Sequence, residues 1–147
     1  MTILKILKYP NKKLRIVAKP VKKINFKIQK KINNMLETMQ FNEGIGLAAT
    51  QVNINLQIAV IGRICNIQTP IILINPKIIQ KKGEIYFKER CLSLPNKKAT
   101  IKRAKYIIVS AINYYGKKQI IHAKSILSVC IQHELDHLIG KLFIDYI

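Results

Sequence analysis

The sequence predicts an α+β fold: antiparallel sheets packed around a buried C-terminal helix, with a second helix near the N-terminus. Three observations carry this. Apolar residues recur at helical spacing between Ile28 and Met39 and again from Ile126 to Leu138. Short β-branched runs separated by turn residues fill the stretch between them. The second helical stretch is apolar on more than one face, which places it inside the molecule. With 147 residues and no internal repeat or Pro/Ser-rich linker, one domain spanning 1–147 is expected.

In chain order, Pro10 and Pro20 bracket Asn11 to Arg15 and predict an extended arm with turns. Asn25 is suited to cap the first helix, whose apolar positions are Ile28, Ile32, Met35, Leu36 and Met39; Asn42-Glu43-Gly44 ends it. Strands are expected at 57–61, 71–74, 77–80, 84–87, 99–102 and 106–112, with turns at 81–83 and 113–117. The second helix begins near Ser125 and stops at Gly140.

Composition excludes several function classes. No apolar run approaches the roughly 18 to 20 residues that span a bilayer. The first residues, with lysines every few positions, lack the apolar core of a secretory signal, so a cytoplasmic, bacterial protein is expected. Cys65, Cys91 and Cys130 are too few for a disulfide framework. The net charge of +19 would suit an anionic partner. However, 29 Ile, 22 Lys and 11 Asn, with Lys outnumbering Arg 22 to 4, are what an AT-rich genome produces. The lysines are scattered and no RNA-binding signature accompanies them, so compositional drift is the favoured reading and no specific nucleic-acid partner is expected.

The chemistry concentrates in Gln132-His133-Glu134-Leu135-Asp136-His137. Four-residue spacing puts His133 and His137 one helical turn apart, where both imidazoles can reach one cation. Glu134 is placed to take a proton from a water that the ion activates. Two buried imidazoles and two carboxyl groups in an apolar helix are costly unless paired, and a divalent cation pairs them. His122, the third histidine, sits at a strand end and reads as ordinary.

Two imidazoles leave the shell incomplete. No histidine follows His137, whereas Glu89-Arg90-Cys91-Leu92-Ser93 offers a thiolate, giving a three-ligand site with an open position. Cys65 and Cys130 read instead as small buried hydrophobes. Gly44-Ile45-Gly46-Leu47-Ala48-Ala49-Thr50-Gln51 is rich in small residues, which let a backbone approach closely, and Gln51 offers an amide donor that does not compete for the ion. Around the site, Asp136 either supports His133, three positions before it, or pairs with Arg103. Glu89 either holds Arg103 or is exposed.

These three segments together resemble the peptide deformylases, whose motifs are GxGLAAxQ, EGCLS and QHExDH in this order. The opening Ile6 to Pro10 and the stretch from Leu138 to Asp145 are also similar to that family, so the resemblance spans nearly the whole chain. It implies hydrolytic removal of the N-formyl group from the initiator methionine of nascent polypeptides, with release of formate. Carried onto matching positions, Cys91, His133 and His137 hold the metal, Glu134 serves as general base and then acid, and Gln51 with the Leu92 N–H stabilises the oxyanion. Ile45 and Gly46 run beside the substrate backbone, while Phe87, Ile126, Val129 and His133 line a pocket for the methionine side chain. The resemblance implies Fe²⁺ in the cell, with Zn²⁺, Ni²⁺ or Co²⁺ accepted in purified protein. Formyl-Met peptides, a transient ribosome contact and a monomeric state complete the expectation.

Two departures from the family pattern stand out. Arg90 replaces the glycine before the metal cysteine; its side chain either crowds the cleft or swings outward and leaves the carbonyl usable. The chain stops at Ile147, where many relatives continue into a helix associated with ribosome docking. Among rivals, a general metallopeptidase would share the histidine helix but not the cysteine or the small-residue octet. A basic RNA-binding module with a structural metal would need four protein ligands, and three are found. A decayed enzyme would rest on Arg90 alone.

Overall fold

The computed structural model describes residues 2–64 and 68–147, so Cys65 lies outside the described residues. An extended arm with a 3-10 turn at Lys12–Arg15 leads into helix α1, Phe26–Phe41. Seven strands follow: β1 Gly46–Ala48, β2 Ile58–Ile61, β3 Ile71–Lys82, β4 Ile85–Cys91, β5 Leu94–Arg103, β6 Tyr106–Ile112 and β7 Lys118–Lys124. Helix α2, Ile126–Leu138, and a 3-10 turn at Phe143–Tyr146 complete the described elements. Five strands form one antiparallel sheet in the order β1-β2-β3-β6-β7, and β4 pairs with β5 in a separate hairpin. The expected α+β architecture, with antiparallel sheets around the second helix, is the one observed.

Strand β2 shows why the sheet is sandwiched between helices. All of its residues are buried, a continuous apolar run rather than an alternating one. Ile58 and Val60 face α1, packing with Ile32, Met35 and Met39. Ala59 and Ile61 face the other way and pack with Cys130, Ile131 and Leu138 of α2. A third cluster, Leu14, Leu94, Ile101, Leu142 and Phe143, sits beneath the β4–β5 hairpin. Helix α1 begins as expected, with the Asn25 side chain accepting from Ile28 N–H at 3.0 Å.

Three local expectations need correction. The runs at 71–74 and 77–80 are one strand, β3, whose register against β6 shifts at Asn75-Pro76. There Asn75 adopts φ 51° and its amide exchanges hydrogen bonds with the Val21 backbone at 2.8 and 2.9 Å, which docks the N-terminal arm. The turn after β3 is correspondingly tighter than 81–83, since pairing reaches Lys82. Strand β7, omitted from the expected strands, is half polar because only one of its faces meets the core. His122 lies on its exposed face. No helix among the described residues is long and apolar enough to cross a membrane.

Candidate active site

Helix α2 supplies three of the site's side chains, and Gln132 fixes the helix in place. Its Oε1 accepts from the Ala104 N–H at 3.1 Å and its Nε2 donates to the Ala104 carbonyl at 2.9 Å, clamping α2 to the corner between β5 and β6. His133 and His137 then face the end of β4. His137 Nε2 lies 3.3 Å from His133 Nε2 and 3.2 Å from Cys91 Sγ. All three ligand atoms fall within 4.8 Å of one another. Tetrahedral edges for two imidazole nitrogens and a thiolate around one ion are about 3.4 to 3.6 Å, so the triad fits a metal as it stands. Cys91 reaches this point because β4 ends there, in a hairpin whose two-residue turn, Leu92-Ser93, pairs Cys91 with Leu94.

The chemistry of the donors agrees with the geometry. His133 Nδ1 is 2.8 Å from Glu89 Oε1, which directs Nε2 to the centre of the triad. Burial opposes charge on His133, but Glu134, Cys91 and Glu89 outweigh it and raise its pKa well above the usual value. The same negative groups would attract a cation, which displaces that proton when it binds the ring nitrogen. Burial and the neighbouring His133 push His137 well down, keeping it neutral as a ligand must be.

Behind His133 stands a buried ionic network. Arg103 donates from Nε and Nη2 to Glu89, at 2.7 and 2.8 Å, and from Nη1 to Asp136 at 2.6 Å. The open alternatives close here: Glu89 is buried and holds both Arg103 and His133, while Asp136 pairs with Arg103. Tyr146 was not foreseen; its hydroxyl donates to Asp136 at 2.8 Å and its ring lies 4.9 Å from the Arg103 guanidinium carbon. Its position ten residues past Asp136, beyond the helix, gave no spacing signal.

Glu134 is buried, with Oε1 lacking a hydrogen-bond partner among the described residues. Burial pushes its carboxyl up to about 7, partly countered by His133. Its other oxygen rests against Gly46, where an added Cβ would lie 2.5 Å from Oε2. A Cβ on Gly44 would lie 2.7 Å from Leu92 Cδ1. The small-residue octet therefore admits site side chains as well as allowing close backbone approach. From Gly46 onward it forms β1 and then a 3-10 turn at Ala49–Val52. Within it, Gln51 accepts from Ala48 N–H at 2.9 Å through Oε1, which aims Nε2 at Ser93 Oγ, 3.0 Å, and Cys91 Sγ, 3.5 Å.

The site opens into a cleft of about 730 Å³. Ile45, Gly46, Gln51, Phe87, Arg90 and Leu92 line it together with Cys91, His133 and Glu134, so the structure brings these expected residues together. Ile126 and Val129 do not line it. Val129 is buried one turn before His133 on the same helix, and Ile126 packs against the core cluster around α2. Arg90 is exposed and opposes Lys98 across the hairpin, so its side chain leaves the core side of β4.

The polypeptide deformylase family model matches residues 3–147. A peptide deformylase of Buchnera aphidicola subsp. Acyrthosiphon pisum (strain Tuc7) is 60% identical over 147 residues, covering 100% of this chain and 85% of the relative. The crystal structure of a peptide deformylase from Legionella pneumophila superposes with a TM-score of 0.95 at 40% identity, covering 99% of this chain and 86% of that one. Peptide deformylase from Ehrlichia chaffeensis, solved in complex with actinonin, gives 0.96 at 37% identity over 100% and 90% of the two chains. Likeness of this degree, over residues 3–147, leaves one assignment: the chain belongs to the polypeptide deformylase family.

Proposed function

We propose that this chain removes the N-formyl group from the N-terminal formylmethionine of newly synthesised polypeptides, releasing formate. The observation that carries this is the convergence of Cys91, His133 and His137 beside a buried Glu134 at the floor of an open cleft. Cys91, His133 and His137 would hold one divalent ion, Fe²⁺ in the cell by family resemblance, with Zn²⁺, Ni²⁺ or Co²⁺ suited to the same donors. Such an ion supplies Lewis acidity, lowering the pKa of a water and polarising the formyl oxygen.

The chain's own groups then direct the reaction. Glu134 takes a proton from the attacking water as oxygen adds to the formyl carbon. Burial suits the task, since it raises the carboxyl's affinity for the proton that it must take and then return. Negative charge builds on the formyl oxygen, where the Gln51 amide and the Leu92 N–H serve as donors; one such donor is typically worth about 3 kcal/mol. As the carbon–nitrogen bond breaks, Glu134 returns the proton to the departing methionine amine, leaving formate and a free N-terminus. Ile45 and Gly46 flank the peptide backbone, and Phe87 and His133 receive the methionine side chain. A passing contact with the ribosome fits a substrate that is still being synthesised.

The test is an anaerobic assay of Fe²⁺-loaded protein with a formyl-Met peptide, beside Glu134→Ala. Wild type is expected to release formate, and the variant to bind metal yet run at least ~10²-fold slower, the scale of a lost acid–base group. Equal rates would remove Glu134 from the reaction.

A further inference from the structure

Four of the residues lining the cleft are Lys88, Arg90, Lys97 and Lys98, all exposed. Among the described residues at the rim only Glu43 opposes them, since Glu134 is buried at the floor. None of the four forms an ion pair among the described residues. Elsewhere the exposed charges Arg15 and Lys102 do find carboxylates. Arg90 and Lys98 are direct cross-strand partners, and a like-charged pair in that position is destabilising without an anion nearby. The hairpin also concentrates them: Pro95, Asn96 and Lys97 stand opposite the single step from Arg90 to Cys91, with Asn96 at φ 71°. This bulge sets Lys97 and Lys98 across the hairpin from Arg90 and Cys91 on the wall of the cleft, with the Lys97 ammonium 5.7 Å from the centre of the Tyr9 ring.

We infer that the cleft selects formyl peptides by charge, favouring an acidic side chain within the two residues that follow the methionine. This rests on the function proposed above and names the substrate class for that same site. None of the four belongs to the metal-ligand triad or replaces Glu134, so they attract substrate and transition state alike. The preference is therefore a property of KM and not of kcat.

The experiment compares C-terminally amidated formyl-Met-Ala-Glu, formyl-Met-Ala-Gln and formyl-Met-Ala-Lys on the metal-loaded protein. The expected order of kcat/KM is Glu above Gln above Lys, about tenfold from first to last at ~20 mM salt and within about twofold at ~0.5 M. The difference should sit in KM. Combining Arg90→Gly with Lys98→Gln should cut the contrast to below about threefold, while Lys118→Gln, on the edge strand β7, should leave it intact. Equal kcat/KM for the three peptides at low salt would overturn the inference. So would a contrast that Lys118→Gln reduces as much as the rim variant, since the field of the whole +19 chain would then be responsible. If no peptide releases formate, the functional reading fails on its own, and equilibrium binding of the deformylated Met-Ala-Glu and Met-Ala-Lys amides decides the selectivity. Tighter binding of the acidic peptide supports it; equal binding overturns it.

Discussion

Replacing Gly46 by alanine adds one methyl group, and the structure says where it goes. The three atoms nearest to that methyl all belong to Glu134: Oε2 at 2.5 Å, Cδ at 3.0 Å and Cγ at 3.1 Å. Ordinary contact begins near 3.4 Å, so the carboxylate must retreat by about 0.9 Å. Glu134 is only 5% exposed, which leaves it little freedom to do so without turning from its working position. A displacement of about 1 Å in a reacting group costs on the order of 10²-fold in rate. Gly46→Ala should therefore lower kcat on a formyl-Met peptide about 100-fold. Stability should fall by no more than about 1 to 2 kcal/mol, because a side chain rather than backbone gives way. Metal content should not change, since none of those three nearest atoms is a ligand. The assay is steady-state formate release with metal analysis of the same samples, repeated in a Glu134→Ala background. If the methyl acts through the carboxylate, Gly46→Ala adds almost nothing there. A variant within about twofold of wild type, or an equal loss in both backgrounds, would refute the reasoning.

Two further outcomes follow from the ionic groups. Glu89→Gln leaves the buried Arg103 with Asp136 as its sole carboxylate and removes the charged acceptor from His133 Nδ1. Urea unfolding should show a loss of about 3 to 5 kcal/mol, and metal titration a Kd weakened about 10- to 100-fold; an unchanged Kd would deny Glu89 its place behind the histidine. Asp145, hydrogen-bonded to Arg15, is held below the usual carboxylate range, so the pair stabilises the fold above the unfolded value of about 3.9 and loses that contribution as pH falls through the lower folded value. The pair is partly solvated and worth under about 1 kcal/mol, so Asp145→Asn should flatten only the acid limb of an unfolding free-energy profile, and a variant profile parallel to wild type would count against it.

What could be read before folding was what repeats locally. The His133–His137 pair declares itself because a helix brings i and i+4 together, and β2 because both of its faces are covered. Cys91 could be nominated by chemistry, as the remaining soft donor, but its meeting with His137 depends on where a hairpin ends. Contacts between distant segments carry no periodic mark: Gly46 and Glu134 touch where α2 packs directly on β1, and Tyr146 reaches Asp136 only because the chain turns back after Gly140. At Gly140, φ is +77° and a Cβ would lie 2.5 Å from the Arg15 carbonyl oxygen, so the expected helix stop is also a close crossing. Glu89 illustrates the same limit. Its pairing with Arg103 needs the register of β4 on β5, which sets Ile85 opposite Arg103 and places Glu89 on the same face four pairs further on. The break in β3 reads as two strands because Asn75-Pro76 interrupts the β-branched run, whereas pairing with β6 resumes beyond it after a register shift.

The chemistry proposed for the cleft requires one sulfur and two imidazole nitrogens to share a single ion. X-ray absorption on protein loaded with one equivalent of zinc measures this directly. The expected shell is one sulfur at about 2.3 Å with two nitrogens at about 2.0 to 2.1 Å, and Cys91→Ser should erase the sulfur while keeping both nitrogens. A spectrum with no sulfur in the wild-type shell, or one that Cys91→Ser leaves unaltered, would contradict the account.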